Sequence, residues 1–449
     1  MSPKRRICVI GTGYVGVASA VGLAGLGHVV CGYDIIRERV HALAQGVPPY
    51  QEAGLAEALQ DKLASGYLTF VNDLPTAIRD AEFIIVSVGT PSRPDGSADL
   101  SALEAVVADL LTLPLNGATV VLRSTVPCGT TEAVAAALGK RANVVYAPEF
   151  LREGHALSDF VKPDRLIIGA AEPDKATGYA DLFAALECPV MVTGLREAEL
   201  IKGFANAFLA MKISFANEVA NFCDELRANA LPVLRGIGAD IRIGAHFLQP
   251  GIGFGGPCFE KDLKSLQHQA ESAGTTSELA NATLRVNSLQ TRRIVDMLES
   301  ELGGPLSGRT VAVWGLTFKA GTDDVRDSLA VRIIDDLNRR GARVIAHDPT
   351  VSDVHPLVAC GIAQQPLQAA SQADALMVLT EWPEYAAIDA AEIARALRTK
   401  IVIDGRNILN AGALREQGVR YRGVGRRGSI STIIGDTGPA TQLVSANVS

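Results

Sequence analysis

A cysteine follows a glycine-rich turn in the segment GFGGPCFEKD, residues 253–262, and a lysine and an aspartate stand three and four positions after it. The glycines leave the backbone bare enough for a ligand to lie against it. A thiolate is a strong nucleophile, and a nearby positive charge or helix N-terminus favours the ionised form. Cys258, Lys261 and Asp262 therefore predict covalent chemistry at a thiol, provided that other parts of the chain supply the reaction.

The N-terminal segment RICVIGTGYVG predicts a dinucleotide site. An apolar strand enters G-x-G-x-x-G at Gly11, Gly13 and Gly16, a helical stretch follows, and a second strand ends at Asp34. The first glycine permits a tight turn, the second lets a pyrophosphate approach the backbone, and the third lets helix and strand pack closely. Asp34 would hold ribose hydroxyls and repel a 2′-phosphate, so NAD is expected, although two arginines shortly after it weaken that preference.

Further strands are predicted within residues 81–92, 118–127 and 143–150, at the spacing of an α/β domain. Each ends in a polar or proline-containing loop, and in an open parallel sheet the ligand lies outside the carboxyl ends of the strands. A first doubly wound domain is therefore expected over residues 1–195. Its loops place five polar residues on the cofactor side: Thr90, Ser124, Thr125, Glu149 and Glu153.

The same order of elements returns in residues 301–449. RTVAVWGLTFKAGTDD reads as a strand and a loop, LAVRIIDDLNRRG as a helix, and ARVIAHD as a strand that ends at Asp348. The first loop lacks G-x-G-x-x-G and carries Lys319 and Arg326, whose cationic side chains would meet a phosphate. The sequence predicts a second Rossmann-like domain that binds a phosphorylated ligand other than NAD.

A proline-free run of helix formers fills residues 196–230, inside an expected central helical domain over residues 196–300. Its length suits a spine that joins the two α/β domains or forms a dimer core. Lys202 and Asn206 are four positions apart and share one helix face. That face could be solvated, or it could steady a substrate oxygen beside the cofactor domain.

Composition narrows the classes of partner and compartment. The net charge of −7 with no basic tract argues against a nucleic-acid partner. Seven scattered cysteines, without a CxxC or a histidine pair, predict neither a disulfide framework nor a metal site. Glycines interrupt the nearly uncharged stretch 7–33, so a cytoplasmic protein without a membrane span is expected. The polar stretch at the C-terminus, GDTGPATQLVSANVS, is expected to fray.

Seven blocks stand in order across nearly the whole chain: GTGYVG, STVPCGT, PEFLREG, IKGFANAFLAMKISFANE, GFGGPCFEKD, LTFKAGTDDVRDS and IDGRN. In this order they resemble the nucleotide-sugar 6-dehydrogenases. The resemblance implies a four-electron oxidation of a sugar C6 alcohol to a carboxylate with two NAD⁺, as from UDP-glucose to UDP-glucuronate. It also implies a homodimer or higher homo-oligomer, with the active site between two Rossmann-like domains that a long central helix joins.

The resemblance assigns the thiol a role. The thiolate of Cys258 would add to an aldehyde made by the first hydride transfer, because an aldehyde offers no second hydride until a nucleophile makes it tetrahedral. Loss of the second hydride would give a thioester, which water would cleave. Five further residues are implied to be catalytic: Lys202 and Asn206 at the developing oxyanion, Asp262 and Thr125 at the water or hydroxyl, and Glu149 in thioester hydrolysis.

Binding residues are implied in the same way. The expected cofactor residues are Gly11, Gly13, Tyr14, Val15, Gly16, Asp34, Arg39, Thr90, Ser124, Thr125, Glu153, Lys261 and Arg326. The expected substrate residues are Phe150, Leu151, Glu153, Lys202, Asn206, Arg242, Phe254, Gly255, Phe318, Lys319 and Arg406.

Within these sets, Phe254 and Gly255 would form a backbone strip under the sugar nucleotide, and Lys319 would contact the diphosphate. Arg242 would act across the dimer interface.

Two departures from the family pattern flank the thiol and leave the substrate open. Pro257 stands where serine is common, and Glu260 where proline or glutamine is common. A dTDP-, GDP- or amino-sugar nucleotide would undergo the same chemistry. A two-electron β-hydroxyacid-type dehydrogenase would leave Cys258 and the last third of the chain unused, and a non-enzymatic NAD-binding sensor would show no turnover.

Overall fold

The structure is a computed structural model that describes residues 4–352 and 358–427, so the polar stretch at the C-terminus lies outside the described residues. Every helix in the described part is too short or too polar to serve as a membrane span. The division into domains 1–195, 196–300 and 301–449 stays a prediction. By spatial proximity the chain forms two compact units: Met1–Ala205 with Lys264–Thr276, and Asn206–Leu263 with Ser277–Ser449.

The first unit is built on an eight-stranded sheet. Its strands are β1 (Arg6–Ile10), β2 (Val29–Tyr33), β3 (Leu68–Val71), β4 (Phe83–Val86), β5 (Thr119–Leu122), β6 (Asn143–Tyr146), β7 (Leu166–Ala170) and β8 (Val190–Thr193). The spatial order is β3-β2-β1-β4-β5-β6-β7-β8, and every pair is parallel except β6 with β7. The order reverses between β1 and β4, which is the point where doubly wound sheets bind ligands.

Helices cover this sheet and bury both of its faces. They are α1 (Tyr14–Gly25), α2 (Arg37–Ala44), α3 (Leu55–Ala64), α4 (Leu74–Ile78), α5 (Ser101–Thr112), α6 (Thr130–Leu138), α7 (Ala156–Val161) and α8 (Pro173–Ala180). Successive strand residues point to opposite faces. Ile7 and Val9 of β1 accordingly join one apolar cluster, and Cys8 and Ile10 join the other.

Four helices occupy the middle of the chain: α9 (Leu195–Glu225), α10 (Ala230–Gly238), α11 (Phe259–Ser272) and α12 (Glu278–Leu302). The run that predicts one helix to residue 230 breaks after Glu225. Arg227 adopts a φ of 55°, and the Asn229 side chain accepts a hydrogen bond from Leu231 N at 3.1 Å. An asparagine that caps a new helix in this way ends the preceding one.

The second unit is built on a six-stranded sheet that is parallel throughout. Its strands are β9 (Thr310–Trp314), β10 (Arg343–His347), β11 (Gly361–Ile362), β12 (Ala375–Val378), β13 (Ile401–Asp404) and β14 (Arg420–Gly423), in the order β11-β10-β9-β12-β13-β14. Its helices are α13 (Leu329–Arg339), α14 (Pro366–Ala370), α15 (Pro383–Ala386), α16 (Ala390–Ala396) and α17 (Ala411–Glu416). The expected second doubly wound sheet is confirmed.

One local arrangement recurs at the end of the second strand of each unit. Asp34 Oδ2 accepts hydrogen bonds from Thr12 N at 2.8 Å and Thr12 Oγ1 at 3.0 Å. Asp348 Oδ2 accepts hydrogen bonds from Thr317 N and Thr317 Oγ1, both at 3.2 Å. In both units an acid therefore fixes the loop that follows the first strand.

Candidate active site

The glycine turn before α1 has the geometry that a pyrophosphate site needs. Gly11 has a φ of +86°, and a Cβ there would lie 2.9 Å from the Ser87 carbonyl oxygen. A Cβ at Gly16 would lie 1.8 Å from the Gly11 carbonyl oxygen, whereas a Cβ at Gly13 would meet nothing within 4 Å. The backbone at Gly13, where helix α1 begins, is therefore open to an anion and suits the diphosphate of NAD.

Asp34 is buried and held on both oxygens. Oδ1 accepts a hydrogen bond from Ile36 N at 3.0 Å, and Oδ2 pairs with Arg39 Nη1 at 2.9 Å. Burial alone would raise the pKa of Asp34, but the hydrogen bonds from Ile36 and Thr12 and the Arg39 guanidinium outweigh it and lower that pKa. The carboxylate is charged at neutral pH, which suits ribose hydroxyls and opposes a 2′-phosphate.

The loops after β4 and β5 are hydrogen-bonded to each other. Thr90 Oγ1 donates to the Thr125 carbonyl at 2.7 Å, and Ser124 Oγ donates to the Val88 carbonyl at 2.6 Å. Thr90, Ser124 and Thr125 are thereby fixed at the carboxyl edge of the sheet.

A buried acid on α9 caps the helix that follows the β5 loop. Glu199 accepts hydrogen bonds from Gly129 N at 2.6 Å, Thr131 N at 2.7 Å and Thr131 Oγ1 at 2.6 Å. Gln269 Oε1 accepts a further bond from Cys128 N at 2.8 Å. The first N–H groups of a helix have no partner within the helix. Glu199 accepts two backbone N–H groups at the start of α6, those of Gly129 and Thr131, and so holds the segment that follows Thr125.

Lys202 forms a buried ion pair inside the first unit. Its Nζ lies 3.1 Å from Glu149 Oε1, and Glu149 Oε2 accepts a bond from Leu151 N at 2.6 Å. The Nζ also lies 5.3 Å from the centre of the Phe150 ring. Lys202 is 5% exposed and Asn206 is 9% exposed, so neither belongs to a solvated helix face.

Tyr14, the first residue of α1, faces acidic groups. Its ring centre lies 5.0 Å from that of Tyr50, whose hydroxyl donates to the Tyr14 carbonyl at 3.2 Å. Burial raises the pKa of Tyr14 far above its usual range, and the charges of Glu149 and Glu153 add to that shift. The phenol therefore stays protonated throughout the physiological range.

In the second unit, Cys258 is exposed and directly precedes α11, where its carbonyl accepts the Asp262 N–H at 3.0 Å. A helix N-terminus favours a thiolate. Asp262 is buried, and each of its oxygens has a donor: Asn206 Nδ2 at 2.6 Å and Lys261 Nζ at 2.6 Å. Asp262 therefore holds both an amide and an ammonium group within one helical turn of the thiol.

Amide side chains clamp the glycine-rich strip before Cys258. Asn287 binds both backbone groups of Phe254, accepting from N at 2.8 Å and donating to O at 2.9 Å. Gly251 donates its N–H to Asn217 Oδ1 at 2.8 Å, and its carbonyl accepts from Gln290 Nε2 at 2.9 Å. The strip keeps its shape through these contacts.

Two further glycines bring the predicted substrate residues together. A Cβ at Gly255 would lie 2.8 Å from the Asp327 carbonyl oxygen, and a Cβ at Gly256, with a φ of +83°, would lie 2.7 Å from the Phe318 ring. Only glycine allows this approach. Phe318 therefore lies against the strip that contains Phe254.

Arg406 lies at the carboxyl edge of the second sheet. Its Nε donates to the Leu379 carbonyl at 2.8 Å and lies 3.0 Å from Glu381 Oε2, and its Nη2 donates to the Phe318 carbonyl at 3.4 Å. Lys319 Nζ lies 5.9 Å from the centre of the Phe318 ring. Arg406, Phe318 and Lys319 thus line one edge, which suits an anionic nucleotide.

The other two predicted arginines are paired with acids of their own loops. Arg242 Nη2 lies 2.6 Å from Asp240 Oδ2, and Arg326 Nη2 lies 2.5 Å from Asp324 Oδ2. Both arginines are exposed. Their roles at a dimer interface and toward NAD stay predictions.

Sequence reasoning missed four side chains that organise these loops: Glu199, Asn287, Gln290 and Glu381. Signals for three of them were present, since Glu199 stands one turn before Lys202, and Asn287 and Gln290 are three apart on one helix face. Glu381 lies in a loop, so no helical or strand spacing in the sequence pointed to it. Within residues 4–352 and 358–427, no group of three or more His, Cys, Asp or Glu side chains could hold a metal ion.

Comparison with known proteins gives three matches to models of the UDP-glucose/GDP-mannose dehydrogenase family. The NAD binding domain matches residues 5–187, the central domain residues 196–289, and the UDP binding domain residues 312–411. The expectations of NAD as the cofactor and of a nucleotide-binding second sheet are confirmed.

Curated relatives and solved structures match over most of their length. The UDP-glucose 6-dehydrogenase of Pseudomonas aeruginosa is 41% identical, covering 94% of this chain and 97% of its own. The UDP-glucose 6-dehydrogenase of Rhizobium meliloti is 40% identical, and the match covers 94% of this chain and 99% of the relative.

Among solved structures, a UDP-glucose dehydrogenase from Pyrobaculum islandicum has a TM-score of 0.86 at 40% identity, covering 94% and 98%. A UDP-D-ManNAc dehydrogenase from Pyrococcus horikoshii has a TM-score of 0.85 at 28% identity, covering 94% and 100%. Because the three domain models match in order and whole relatives align with nearly all of the sequence, the chain belongs to the UDP-glucose/GDP-mannose dehydrogenase family.

Proposed function

We propose that this protein oxidises the C6 hydroxymethyl group of UDP-glucose to the carboxylate of UDP-glucuronate. The observation that carries the proposal is Cys258, an exposed thiol at a helix N-terminus that follows a clamped, glycine-rich strip. The similarity to UDP-glucose 6-dehydrogenases favours UDP-glucose among the nucleotide sugars. The net conversion takes one alcohol and one water to one carboxylate, two hydrides and three protons.

In the first oxidation, bound NAD⁺ would supply the hydride acceptor, as it would in the second. Lys202 and Asn206 would donate to the C6 oxygen as negative charge develops there. The Glu149 carboxylate keeps Lys202 paired in its buried setting, and the Asp262 carboxylate orients the Asn206 amide. Thr125 and Asp262 would hold the reacting hydroxyl and a water molecule, and that water would take the hydroxyl proton as the hydride leaves.

In the second oxidation, the Cys258 thiolate would add to the C6 aldehyde and form a C–S bond. The tetrahedral oxyanion then loses the second hydride and becomes a thioester. Water adds to the thioester carbon with Glu149 as the assisting base, and the C–S bond breaks to return the thiolate.

The test is the stoichiometry of NADH against a panel of UDP-glucose, UDP-N-acetylmannosamine, dTDP-glucose and GDP-mannose. UDP-glucose should give the highest kcat/KM, with two NADH and one uronate formed per sugar. A single NADH with free aldehyde as the final product would exclude the thioester route. Preference for UDP-N-acetylmannosamine would instead make the protein an amino-sugar dehydrogenase, the second candidate that the Pyrococcus horikoshii neighbour suggests.

We also infer that the working form is a homodimer built on α9. Phe208, Phe215 and Phe222 recur every seven residues along this helix and are 58%, 45% and 65% exposed. Three large aromatic rings in one stripe favour burial against another apolar surface. Light scattering should give twice the chain mass, and replacing Phe215 and Phe222 by aspartate should give a monomer.

We place the enzyme in the cytoplasm. The seven cysteines all lie within the described residues and form no disulfide, which suits a reducing compartment and a mechanism that needs a reduced thiol. Recovery of the activity in an osmotically released fraction would contradict this localisation.

A further inference from the structure

Glu381 is a buried acid beside the proposed nucleotide site, and nothing in the reaction described above uses it. It follows strand β12, and its side chain is 5% exposed. Its Oε2 lies 3.0 Å from Arg406 Nε, and its Oε1 accepts a long hydrogen bond from Ala320 N at 3.4 Å. A buried carboxylate is costly unless it is paired, so its partners indicate its purpose.

The contact between Glu381 and Arg406 is a charge pair and not a hydrogen bond. The single hydrogen of Arg406 Nε is donated to the Leu379 carbonyl at 2.8 Å. Within the described part of the chain, Glu381 Oε2 has no hydrogen-bond donor. The Glu381 carboxylate therefore balances the charge of the Arg406 guanidinium and restrains its orientation. Arg406 Nη1, by contrast, has no hydrogen-bond acceptor among the described residues.

Glu381 also joins two loops that follow neighbouring strands. Through Ala320 N it contacts the loop after β9, which carries Phe318 and Lys319. Through Arg406 it contacts the loop after β13, and Arg406 Nη2 returns to the Phe318 carbonyl. The two loops that carry the proposed substrate cations therefore share one buried carboxylate.

We propose that Glu381 is the positioning residue of the nucleotide-sugar site. It holds the Arg406 guanidinium so that Nη1 is available to a phosphate oxygen of a nucleoside diphosphate, and it keeps the Lys319 loop in register with Arg406. The inference rests on the proposed function, because it takes a nucleoside diphosphate sugar as the ligand of this edge. Glu381 acts through Arg406 and does not itself touch the substrate.

The test is a double-mutant cycle on UDP affinity, measured by calorimetry on the full chain. E381Q should weaken UDP binding roughly tenfold in the wild-type background, since misplacing Arg406 removes its hydrogen bond to a charged phosphate oxygen, and the loss of such a bond is of this order. In an R406A background, E381Q should cause no further loss of UDP affinity, because Arg406 is gone and the glutamine oxygen can still accept the hydrogen bond from Ala320 N. NAD⁺ affinity should change less than about twofold, and KM for UDP-glucose should rise without a matching fall in kcat.

The matched control is E384Q, which removes an exposed acid three positions later and should leave UDP affinity unchanged. E381D retains the charge but shortens its reach, so it should weaken UDP binding even if E381Q does not fold. If E381Q lowered UDP affinity by the same factor in the wild-type and R406A backgrounds, Glu381 would not act through Arg406, and the inference would be overturned. Unchanged UDP affinity in E381D and E381Q would also overturn it. A wild-type protein that binds no UDP would contradict the proposed function instead.

Discussion

The side-chain amide of Asn287 pairs with both backbone groups of Phe254, accepting from its N–H at 2.8 Å and donating to its carbonyl at 2.9 Å. This is the pairing that a neighbouring strand would offer, supplied here by one residue of α12. Among side chains, only an amide combines one donor and one acceptor in this geometry. The backbone of the strip at Phe254 therefore depends on one side chain of another element.

Removing this amide should destabilise the fold. Asn287→Ala leaves the N–H and C=O of Phe254 buried without partners, which should lower the free energy of unfolding by about 2–4 kcal/mol. Urea denaturation measures the change. Ser288→Ala, at the exposed neighbouring position, should change the free energy of unfolding by less than about 0.5 kcal/mol. Equal stability of the two variants would show that the clamp contributes nothing.

The thiol should be essential to formation of the acid. Cys258→Ser replaces a thiol, which can form a strongly nucleophilic thiolate, with a hydroxyl that is a much weaker nucleophile, so uronate formation should fall by orders of magnitude while UDP affinity survives. Product analysis after a single turnover measures aldehyde against acid. Cys128→Ser, the change at the other exposed cysteine, should leave the rate near that of the wild type. Acid production by Cys258→Ser at the wild-type rate would exclude a thioester.

Glu199 should matter as a helix cap. Glu199→Ala removes the acceptor for three donors at the start of α6. The free energy of unfolding should therefore fall by about 2–3 kcal/mol. Thermal and urea unfolding measure it. Glu199→Gln keeps an acceptor and should recover part of the loss, whereas Glu197→Ala, two positions earlier and exposed, should be neutral. If Glu199→Ala unfolds at the same urea concentration as the wild type, the cap is not a source of stability.

Much of the architecture follows from local patterns. The glycine turn with Gly11, Gly13 and Gly16, the strands that alternate with helices and the exposed thiol before α11 each depend on near neighbours in sequence. Periodicity and turn chemistry report such features directly. Both doubly wound sheets were accordingly predictable, together with the edge on which each ligand is expected.

The positioning contacts were not predictable, because they join residues far apart in the chain. Glu199 meets Thr131 across 68 positions, and Asn287 meets Phe254 across 33. No local pattern gives the distance between two such side chains. The early end of α9 is a different case, since Asn229 offers a cap whose competition with the continuing helix depends on tertiary packing.

Acid should remove the stabilisation that Asp34 provides. Its folded pKa lies below the ordinary value, so the folded state favours the carboxylate. The resulting stability is fully present above the unfolded pKa of about 3.9 and is lost as pH falls through the folded pKa. Unfolding free energies of wild type and Asp34→Asn should therefore differ by a constant amount above about pH 5 and converge below about pH 4. Parallel profiles down to the lowest pH would contradict this role.

The same carboxylate should set the choice of cofactor. Asp34→Ala removes a negative charge that opposes the 2′-phosphate and frees Arg39 from its pair, so the preference for NAD⁺ over NADP⁺ should narrow. The ratio of kcat/KM for the two cofactors measures this. Glu38→Ala, which removes an exposed acid of the same segment, is the control. If the ratio of kcat/KM for NAD⁺ and NADP⁺ were unchanged in Asp34→Ala, another group would set the cofactor preference.

Asp34, the acid at the end of β2, limits how the cofactor preference of this enzyme can evolve. Asp348 fixes its loop through Thr317 in a sheet that lacks the dinucleotide motif, so an acid at this place holds the loop even without that motif. A mutation of Asp34 that admits NADP also removes the hydrogen bonds that hold Thr12 in the loop after β1. Lineages or laboratory selections that seek the other cofactor should therefore keep Asp34 and change the exposed Ile35 and Ile36 beside it.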